Sequence, residues 1–404
     1  MSRQLFLACL ATGLPGLLAV PAAVAQAPRF MLPATTFDYG VVRGPATVGR
    51  DTSRDRDTAA APGNAARANE LATLGRVLFY DPLLSRNGSR SCGSCHEQAK
   101  AFTDGRARSL GFDGRLARRS SMSLSNLGER ESGFFWDDRV QVLEEMVLRP
   151  IQDPVEMGLD LRELERRVAS EADYRPLFRQ AFGDEQVSPE RIGRALATFV
   201  RALASRSSRF DWAPSASSPS SSGFSTFSPE ENRGMRLFFD ACGTCHARES
   251  RLSYCRGCVI SGLHDRRAPA LTNIGLDLGS KKDDPGLGGI TGDNEDRGRF
   301  RAPTLRNIEL TAPYMHDGRF ATLEEVLRFY ASGVRPHPGL DPRFEPRGGA
   351  SWPPPMLPNE RPRLGLALQP CDQADIIAFL KTLTDRTFTN DPRFADPFVA
   401  RAQR

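Results

Sequence analysis

Histidine and lysine are scarce in this 404-residue sequence, which has five histidines and four lysines. Its 54 basic residues are therefore almost all arginines, and they are interleaved with 49 acidic residues to give a net charge of +5. Mixed charges without basic runs beside aromatic residues are not typical of a nucleic-acid groove, so no nucleic-acid partner is expected. Beyond the first 25 residues no apolar run approaches the roughly 20 residues that a membrane span needs, so no stable membrane insertion is expected.

The first 25 residues have the composition of an export signal. Arg3 precedes an apolar run that glycine and proline interrupt, and Ala23-Val24-Ala25 is the small-x-small pattern of a signal-peptidase site. A membrane anchor is the alternative, but the run is broken and shorter than about 20 residues. We therefore predict a signal peptide over residues 1–25, cleaved near Ala25, and a periplasmic protein that loses Cys9 and keeps its other cysteines.

Four of those cysteines lie in two Cys-x-x-Cys-His pentapeptides, within SCGSCHEQ (91–98) and ACGTCHAR (241–248). In an exported protein such pairs could form disulfides, and with histidine they could form half of a zinc site. A gap of three residues, however, places both sulfurs on one face of a helical turn, where each can form a thioether to one porphyrin above an axial histidine. The repeated pattern predicts two c-type haems, bound by Cys92, Cys95 and His96 and by Cys242, Cys245 and His246.

A third Cys-x-x-Cys pair, in YCRGC, lacks the histidine. Val259 follows Cys258, so Cys255 and Cys258 cannot bind a third haem of this type. With Cys371 they make an odd number, and a disulfide that uses two of the three is expected. The sequence leaves their pairing open.

The remaining pattern divides the protein into two helical halves. Residues 26–69 are rich in Ala, Pro, Gly and charge and predict an extended N-terminal arm, and residues 213–227 predict a Ser/Pro-rich linker. Residues 70–212 and 228–404 have helical periodicity. We predict an all-α protein of two cytochrome c-like helical domains, each with one covalently attached c-type haem, and a C-terminal tail on the second.

Local signals place helices in both halves. The apolar sets at helical spacing are Leu71, Leu74 and Leu78, and Leu161, Leu164 and Val168; the capping boxes are Ser228 with Glu231 and Thr322 with Glu325. The second box begins the segment LEEVLRFYASG, which Gly333 ends, and DQADIIAFLKTL is the predicted closing helix.

Five ordered segments carry a resemblance to a known family: RVLFYDPLLSRNGSRSCGSCHEQAKAFTDG, GFFWDDR, PIQDPVEMG, RFRAPTLRNIELTAPYMHDGRFATLEEVL and DQADIIAFLKTLTD. They are similar to the bacterial di-haem cytochrome c peroxidase and MauG family, over residues 70 to 390 or so. The resemblance implies that the N-terminal haem reacts with hydrogen peroxide. It also implies that the C-terminal haem feeds or stores oxidising equivalents.

A peroxide site needs an iron with a vacant sixth position. Between His96 and Trp136 the sequence has no other histidine and one methionine, Met122, whereas classical family members place a removable histidine in that interval. We therefore predict an N-terminal haem that is open in all redox states and needs no reductive activation. The alternative is that a distant residue such as His264 or His337 closes the site.

The resemblance implies two catalytic residues near this haem. Glu156, in DPVEMG, matches the glutamate that takes a proton from peroxide and returns it to the leaving oxygen. Trp136, in GFFWDDR, matches the tryptophan that lies between the haems and relays electrons, although a tryptophan beside two phenylalanines is by itself more often core packing. Met146 stands where the family has a partnering glutamine, which leaves Glu156 more of the work.

The resemblance also implies a sixth ligand for the second haem and a bound calcium ion. Tyr330 matches the tyrosine ligand of MauG-type members, where classical peroxidases have methionine. Met315 and Met356 are the competing ligands, but neither lies at the matching position. The calcium ion would lie between the haems, held by the side chain of Ser120, at the family's asparagine position, and by the carbonyl oxygens of Thr311 and Pro313.

Three functions fit these residues. The first is a peroxidase that reduces hydrogen peroxide with electrons from a small c-type cytochrome or cupredoxin. The second is a MauG-like oxidase that uses peroxide to modify tryptophan or tyrosine residues of a partner protein, and Tyr330 favours it. The third, a non-catalytic di-haem electron carrier, explains neither the missing distal histidine nor the DPVEMG segment, so the sequence predicts an enzyme.

Overall fold

The computed structural model describes residues 29–40, 62–130, 132–213, 223–246, 271–279, 283–345 and 364–398. Their regular structure is mostly helical, as predicted, with one short antiparallel pair of strands, β1 (Leu271–Thr272) and β2 (Phe300–Arg301). No helix within these ranges is long and apolar enough to cross a membrane.

The helices follow the two predicted halves of the chain. In the first half they are α1 (Pro62–Tyr80), α2 (Leu143–Met146), α3 (Arg149–Gln152), α4 (Leu161–Ser170), α5 (Tyr174–Phe182), α6 (Pro189–Ala202) and α7 (Arg209–Trp212). In the second half they are α8 (Pro229–Ala241), α9 (Gly243–His246), α10 (Gly288–Thr291), α11 (Leu323–Arg328), α12 (Pro370–Lys381) and α13 (Arg386–Thr389). A π turn, Phe329–Gly333, continues α11.

The first core forms where α1 crosses α5 and α6. Ser188 caps α6 by accepting a hydrogen bond from the N–H of Arg191, and Pro189 occupies the first helical position. Gly75 of α1 lies directly against the carbonyl oxygen of Ala195 in α6, where any side chain would meet the backbone. Most of the predicted apolar sets are buried in this core: Leu71, Leu74, Leu78, Leu164 and Val168.

The second core forms between α8 and α12. The capping box of Ser228 and Glu231 starts α8 as predicted, and Thr322 and Glu325 start α11 in the same way. The closing helix begins two residues before the predicted segment, at Pro370. Its apolar residues pack against those of α8 in a cluster that includes Met235, Phe238, Ile376, Phe379 and Leu380.

Segments distant in sequence contribute to each core. Aromatic residues of the predicted arm and tail are buried in the first core: Phe30, Tyr39, Phe388, Phe394 and Phe398. Phe224 and Phe227, in the predicted linker, and Phe210, just before it, are buried in the second core. The domain boundaries stay predictions, and residues 1–25 and 214–222 lie outside the described part of the chain.

Candidate active site

The first Cys-x-x-Cys-His segment is wound into one tight turn. The backbone N–H groups of Cys95 and His96 donate to the carbonyl oxygen of Cys92, with donor–acceptor distances of 3.1 and 2.9 Å. The Nδ1 atom of His96 lies 2.8 Å from the carbonyl oxygen of Phe102. That nitrogen therefore carries the proton, and Nε2 is left to bind a metal.

The second segment repeats this geometry in α9. The N–H groups of Cys245 and His246 donate to the carbonyl oxygen of Cys242 at 3.1 and 3.0 Å. The Nδ1 atom of His246 lies 3.3 Å from the carbonyl oxygen of Pro303. Both histidines are thus oriented through a backbone carbonyl, as histidine ligands of metals commonly are.

The disulfide and zinc alternatives for these cysteines fit the structure poorly. None of the four is paired in a disulfide, and two cysteines with one histidine supply only three of the four ligands of a structural zinc site. Within the described ranges, no group of three or more His, Cys, Asp and Glu side chains could hold a metal ion. Cys371 is also a free thiol, and Cys255 and Cys258 fall outside the described residues.

A large cavity adjoins the second Cys-x-x-Cys-His segment and is called the second cavity below. It holds about 1430 Å³ of space, including its opening to solvent, and Cys242, Cys245 and His246 lie together on its wall. The rest of the wall is mainly apolar, with residues such as Phe238, Leu305, Ile308, Leu327 and Leu380. An apolar cavity with two thiols and a metal-binding histidine on its wall fits a covalently attached haem.

Tyr330 lines the same cavity as His246. It lies in the π turn after α11, and its ring stacks on that of Phe344 with 5.9 Å between centroids. Burial raises the pKa of the Tyr330 hydroxyl, and the nearby Cys242 and Cys245 raise it further. A phenolate at this position therefore needs a cation such as iron to stabilise it.

The competing ligand Met315 also lines this cavity. Its backbone is in the left-handed region, with φ of 73°, and its carbonyl oxygen accepts a 2.8 Å hydrogen bond from the hydroxyl of Ser120. Met356 lies outside the described residues. Since Tyr330 and Met315 share the cavity, ligation by Tyr330 stays a prediction.

The carboxyl group of Glu156 is half-buried near the first segment. Burial and repulsion from Asp153 raise its pKa to about 7, although Arg139 lowers it. Burial is the main cause that raises the pKa values of Cys92 and Cys95, and the charge of Glu156 raises both further. The carboxyl group of Glu156 therefore lies near the haem-binding turn. A carboxyl group with a pKa near 7 can both accept and return a proton at neutral pH.

The residues that the sequence analysis considers near the sixth position of the first haem lie in different parts of the protein. Met146 packs against the first core, and Met122 lines the cavity of the second segment. His337 interacts with Asn273, whose Nδ2 atom is 2.8 Å from Nδ1 of His337, in the second half of the chain. His264 lies outside the described residues. An open first haem stays a prediction.

Trp136 lies on the wall of the second cavity. Its indole Nε1 donates to the carbonyl oxygen of Ser120 at 3.0 Å, and its own carbonyl oxygen accepts from the backbone N–H of Arg301 at 2.8 Å. Its ring lies edge-on to that of His316, with 6.5 Å between centroids. The indole is therefore fixed next to the proposed site of the second haem.

Comparisons with known proteins identify the family. A sequence profile described as Di-haem cytochrome c peroxidase matches residues 69–216. Methylamine utilization protein MauG of Methylorubrum extorquens is 34% identical over 316 residues, which are 78% of this chain and 78% of that protein. The chain belongs to the di-haem cytochrome c peroxidase and MauG family.

Two further members of this family are similar over much of the chain. Cytochrome c551 peroxidase of Nitrosomonas europaea is 33% identical over 269 residues, 64% of this chain and 72% of that protein. The crystal structure of a MauG-like protein associated with microbial copper homeostasis has a TM-score of 0.63 and 34% identity, and the match covers 81% of this chain and 93% of the other. Membership in this family implies two c-type haems and an oxidoreductase of the di-haem cytochrome c peroxidase type.

The residues expected to hold the family's calcium ion all line the second cavity: Ser120, Thr311 and Pro313. The hydroxyl of Ser120 donates to the Met315 carbonyl, and the described lining of the cavity includes no carboxylate. Calcium favours charged oxygen ligands, so these neutral oxygens fit at most a weak site. Calcium stays a prediction.

Sequence reasoning missed a buried ion pair beside Trp136 in this di-haem protein. Arg301, in β2, pairs with Asp138, two residues after Trp136. Both charged residues lie inside segments that carry the family resemblance, GFFWDDR and RFRAPT. Their place in these segments indicates that both residues matter to the site. Because they are 163 positions apart in the sequence, no local pattern indicates that they form a pair.

Proposed function

We propose that this protein is an exported, periplasmic di-haem peroxidase that reduces hydrogen peroxide. In this proposal the haem attached to Cys92 and Cys95 is the site of reaction. Electrons arrive through the haem attached to Cys242 and Cys245, from a small c-type cytochrome or a cupredoxin. The observation that carries the proposal is the half-buried carboxyl group of Glu156, near the first haem-binding turn, with a pKa raised to about 7.

The haems supply the redox chemistry when bound, and the side chains around them control position and proton movement. His96 presents Nε2 because its Nδ1 faces the carbonyl oxygen of Phe102. Glu156 takes a proton from one oxygen of peroxide and returns it to the other as the O–O bond breaks. Its pKa near neutrality suits both steps, because a group that is half protonated can act as base and then as acid.

Trp136 supports the electron path in this proposal. Its indole is held by the carbonyl of Ser120 and lies on the wall that also carries His246. A relay requires a rigid aromatic ring close to both haems, and the fixed indole beside the second segment supports that role. Its position is compatible with peroxidase and MauG-like activity alike.

Replacement of Glu156 tests the proposal. Glu156→Gln keeps the shape of the side chain but cannot accept a proton, so we expect the rate of reaction with peroxide to fall by a factor on the order of 10² or more. Stopped-flow spectroscopy measures that rate. Glu145→Gln changes an exposed glutamate of α2 and is the matched control. A Glu156→Gln protein with both haems that reacts as fast as the parent would assign Glu156 a structural role.

A MauG-like oxidase that modifies tryptophan or tyrosine residues of a partner protein is the second candidate. Tyr330 supports it, because that side chain lines the cavity with His246 and matches the tyrosine ligand of MauG-type members. The 34% identity to methylamine utilization protein MauG also supports it. Rapid turnover of a reduced small cytochrome with peroxide would favour the peroxidase over this candidate.

A further inference from the structure

Arg301 places a charged side chain on the mainly apolar wall of the second cavity. Of the lining residues that the structure describes, it alone is an Arg, Lys, Asp or Glu. Its side chain is 4% exposed, and its Nε atom has no hydrogen-bond partner. A buried guanidinium N–H without an acceptor is costly, so we expect a hydrogen-bond acceptor next to this Nε–H group.

The guanidinium group of Arg301 is held by residues of the Trp136 segment. It pairs with Asp138 and passes over Gly133, where a Cβ would collide with both side chains. Gly133 also has φ of 76°, which favours glycine. The backbone N–H of Arg301 donates to the carbonyl oxygen of Trp136 at 2.8 Å. Arg301 therefore joins the Trp136 segment to the cavity by two separate contacts.

A second guanidinium group, that of Arg130, lies close to Arg301. Arg130 donates from Nη1 to the carbonyl oxygen of Gly133 at 2.9 Å, and its Nε atom also has no partner. Burial, and then repulsion from Arg301, lower the pKa of Arg130 well below its usual value. Asp138 is the described acid that acts on both guanidinium groups. Two neighbouring guanidinium groups, of which Arg301 is buried and Arg130 is half-buried, share the carboxylate of Asp138, and this favours a further anion.

We propose that Arg301 binds a propionate carboxylate of the haem attached to Cys242 and Cys245. The free Nε–H is the donor, Asp138 holds the guanidinium group, and the Trp136 carbonyl oxygen holds the backbone N–H of Arg301. The inference rests on the proposed function only in requiring a haem in this cavity. A carboxylate inside a mainly apolar cavity needs a cation, and the planar guanidinium matches its geometry.

Redox titration of both haems tests the assignment. In Arg301→Gln the lost cation should stabilise the ferric second haem and shift its reduction potential downward. In Asp138→Asn the uncompensated guanidinium should shift the same potential upward. The first haem should keep its potential in both variants. Arg299→Gln, two residues away with a half-exposed side chain paired to Asp296, should change neither potential.

Charge-conserving and charge-removing variants make the result decisive. Arg301→Lys should shift the second potential less than Arg301→Gln does, because the positive charge remains. An unchanged second potential in Arg301→Gln, or shifts of the same sign in Arg301→Gln and Asp138→Asn, would overturn the proposal. If Arg301→Gln does not fold, an unchanged potential in Asp138→Asn overturns it and an upward shift supports it. The titration uses no peroxide, so its outcome is independent of the role of Glu156.

Discussion

Glu156 carries a carboxyl group in surroundings that penalise its charge. Burial and the neighbouring Asp153 favour the protonated form, and together they outweigh the attraction of Arg139. The guanidinium of Arg139 pairs with Asp137 at 2.8 Å, and the charge of Asp137 weakens the attraction between Arg139 and Glu156. The result is an acid that changes its protonation state near pH 7 rather than near its ordinary value.

The raised pKa of Glu156 predicts a pH dependence. The base that accepts the peroxide proton is the deprotonated carboxylate, so the rate of reaction with peroxide should rise as the pH increases through about 7. Below that value each pH unit should lower the rate roughly tenfold, as the carboxylate fraction falls. Stopped-flow rates measured between about pH 5 and 9 check this profile, which Glu156→Gln should abolish. A flat profile in the parent protein would point to a different base.

Ligation by Tyr330 predicts a low reduction potential for the second haem. A phenolate donates strongly to ferric iron and should give that haem a low reduction potential, so Tyr330→Met should raise it. Electron paramagnetic resonance and redox titration measure both effects. Tyr314→Phe is the control, because the Tyr314 hydroxyl lies on the same cavity but already donates to the carbonyl oxygen of Ile308 at 3.1 Å. A parent protein with the spectrum of methionine ligation would assign the position to Met315 or Met356.

Helices α1 and α6 pack closely against each other in the first core. Gly75 allows this approach because the carbonyl oxygen of Ala195 and the Cβ of Phe199 occupy the space that a side chain would need. Residues on the same helices surround the first haem-binding turn: Tyr80 packs on Gly93, and Phe79 and Phe199 contact each other at 5.2 Å between ring centroids. Helix packing therefore supports the site.

Gly75→Ala should destabilise the protein. Alanine gains about 1 kcal/mol of helix propensity, but overpacking against a backbone carbonyl costs about 1–3 kcal/mol. We expect a net loss of up to about 2 kcal/mol, measured by urea unfolding followed with circular dichroism. Ala66→Ser, on the exposed side of α1, should change stability by less than about 0.5 kcal/mol. Higher stability of Gly75→Ala would show that α1 and α6 are farther apart.

Buried charges connect the two halves of the protein. Arg119, from the first half, pairs with Asp137 at 2.5 Å and with Asp284 of the second half at 2.8 Å. Its guanidinium also lies over the ring of Phe300, which stacks on His316 at 3.8 Å between centroids. Since His316 lies beside Trp136, this network fixes the tryptophan segment between the halves.

Maturation of the protein should attach two haems and remove the leader. Expressed in a host that matures c-type cytochromes, the protein should keep two haems through acid–acetone extraction, and its mass should lack residues 1–25. The double variant Cys92→Ala/Cys95→Ala should lose one haem, and Cys242→Ala/Cys245→Ala should lose the other. A parent protein with a single haem would contradict the assignment of the two segments, and mass spectrometry distinguishes these outcomes.

The local features of this protein follow from its sequence. The Cys-x-x-Cys-His turns, the capping boxes of α8 and α11, and the apolar faces of α1 and α4 depend on residues a few positions apart. Hydrogen bonds and side-chain periodicity at that separation are set by helix geometry. The haem-binding segments and the helices α1, α4, α8, α11 and α12 are therefore predictable, whereas α1 begins before the predicted helical half and the π turn that carries Tyr330 has no predicted counterpart.

The tertiary structure decided what depends on residues far apart in the sequence. Glu156 gains its raised pKa from burial, Arg301 meets Asp138 across 163 positions, and Phe394 of the predicted tail joins the core of the first half. Burial and charge pairing are properties of the three-dimensional environment, so no local pattern contains them. The sequence by itself determined which residues carry the haem chemistry, and only packing determined the protonation, charge balance and orientation with which they do so.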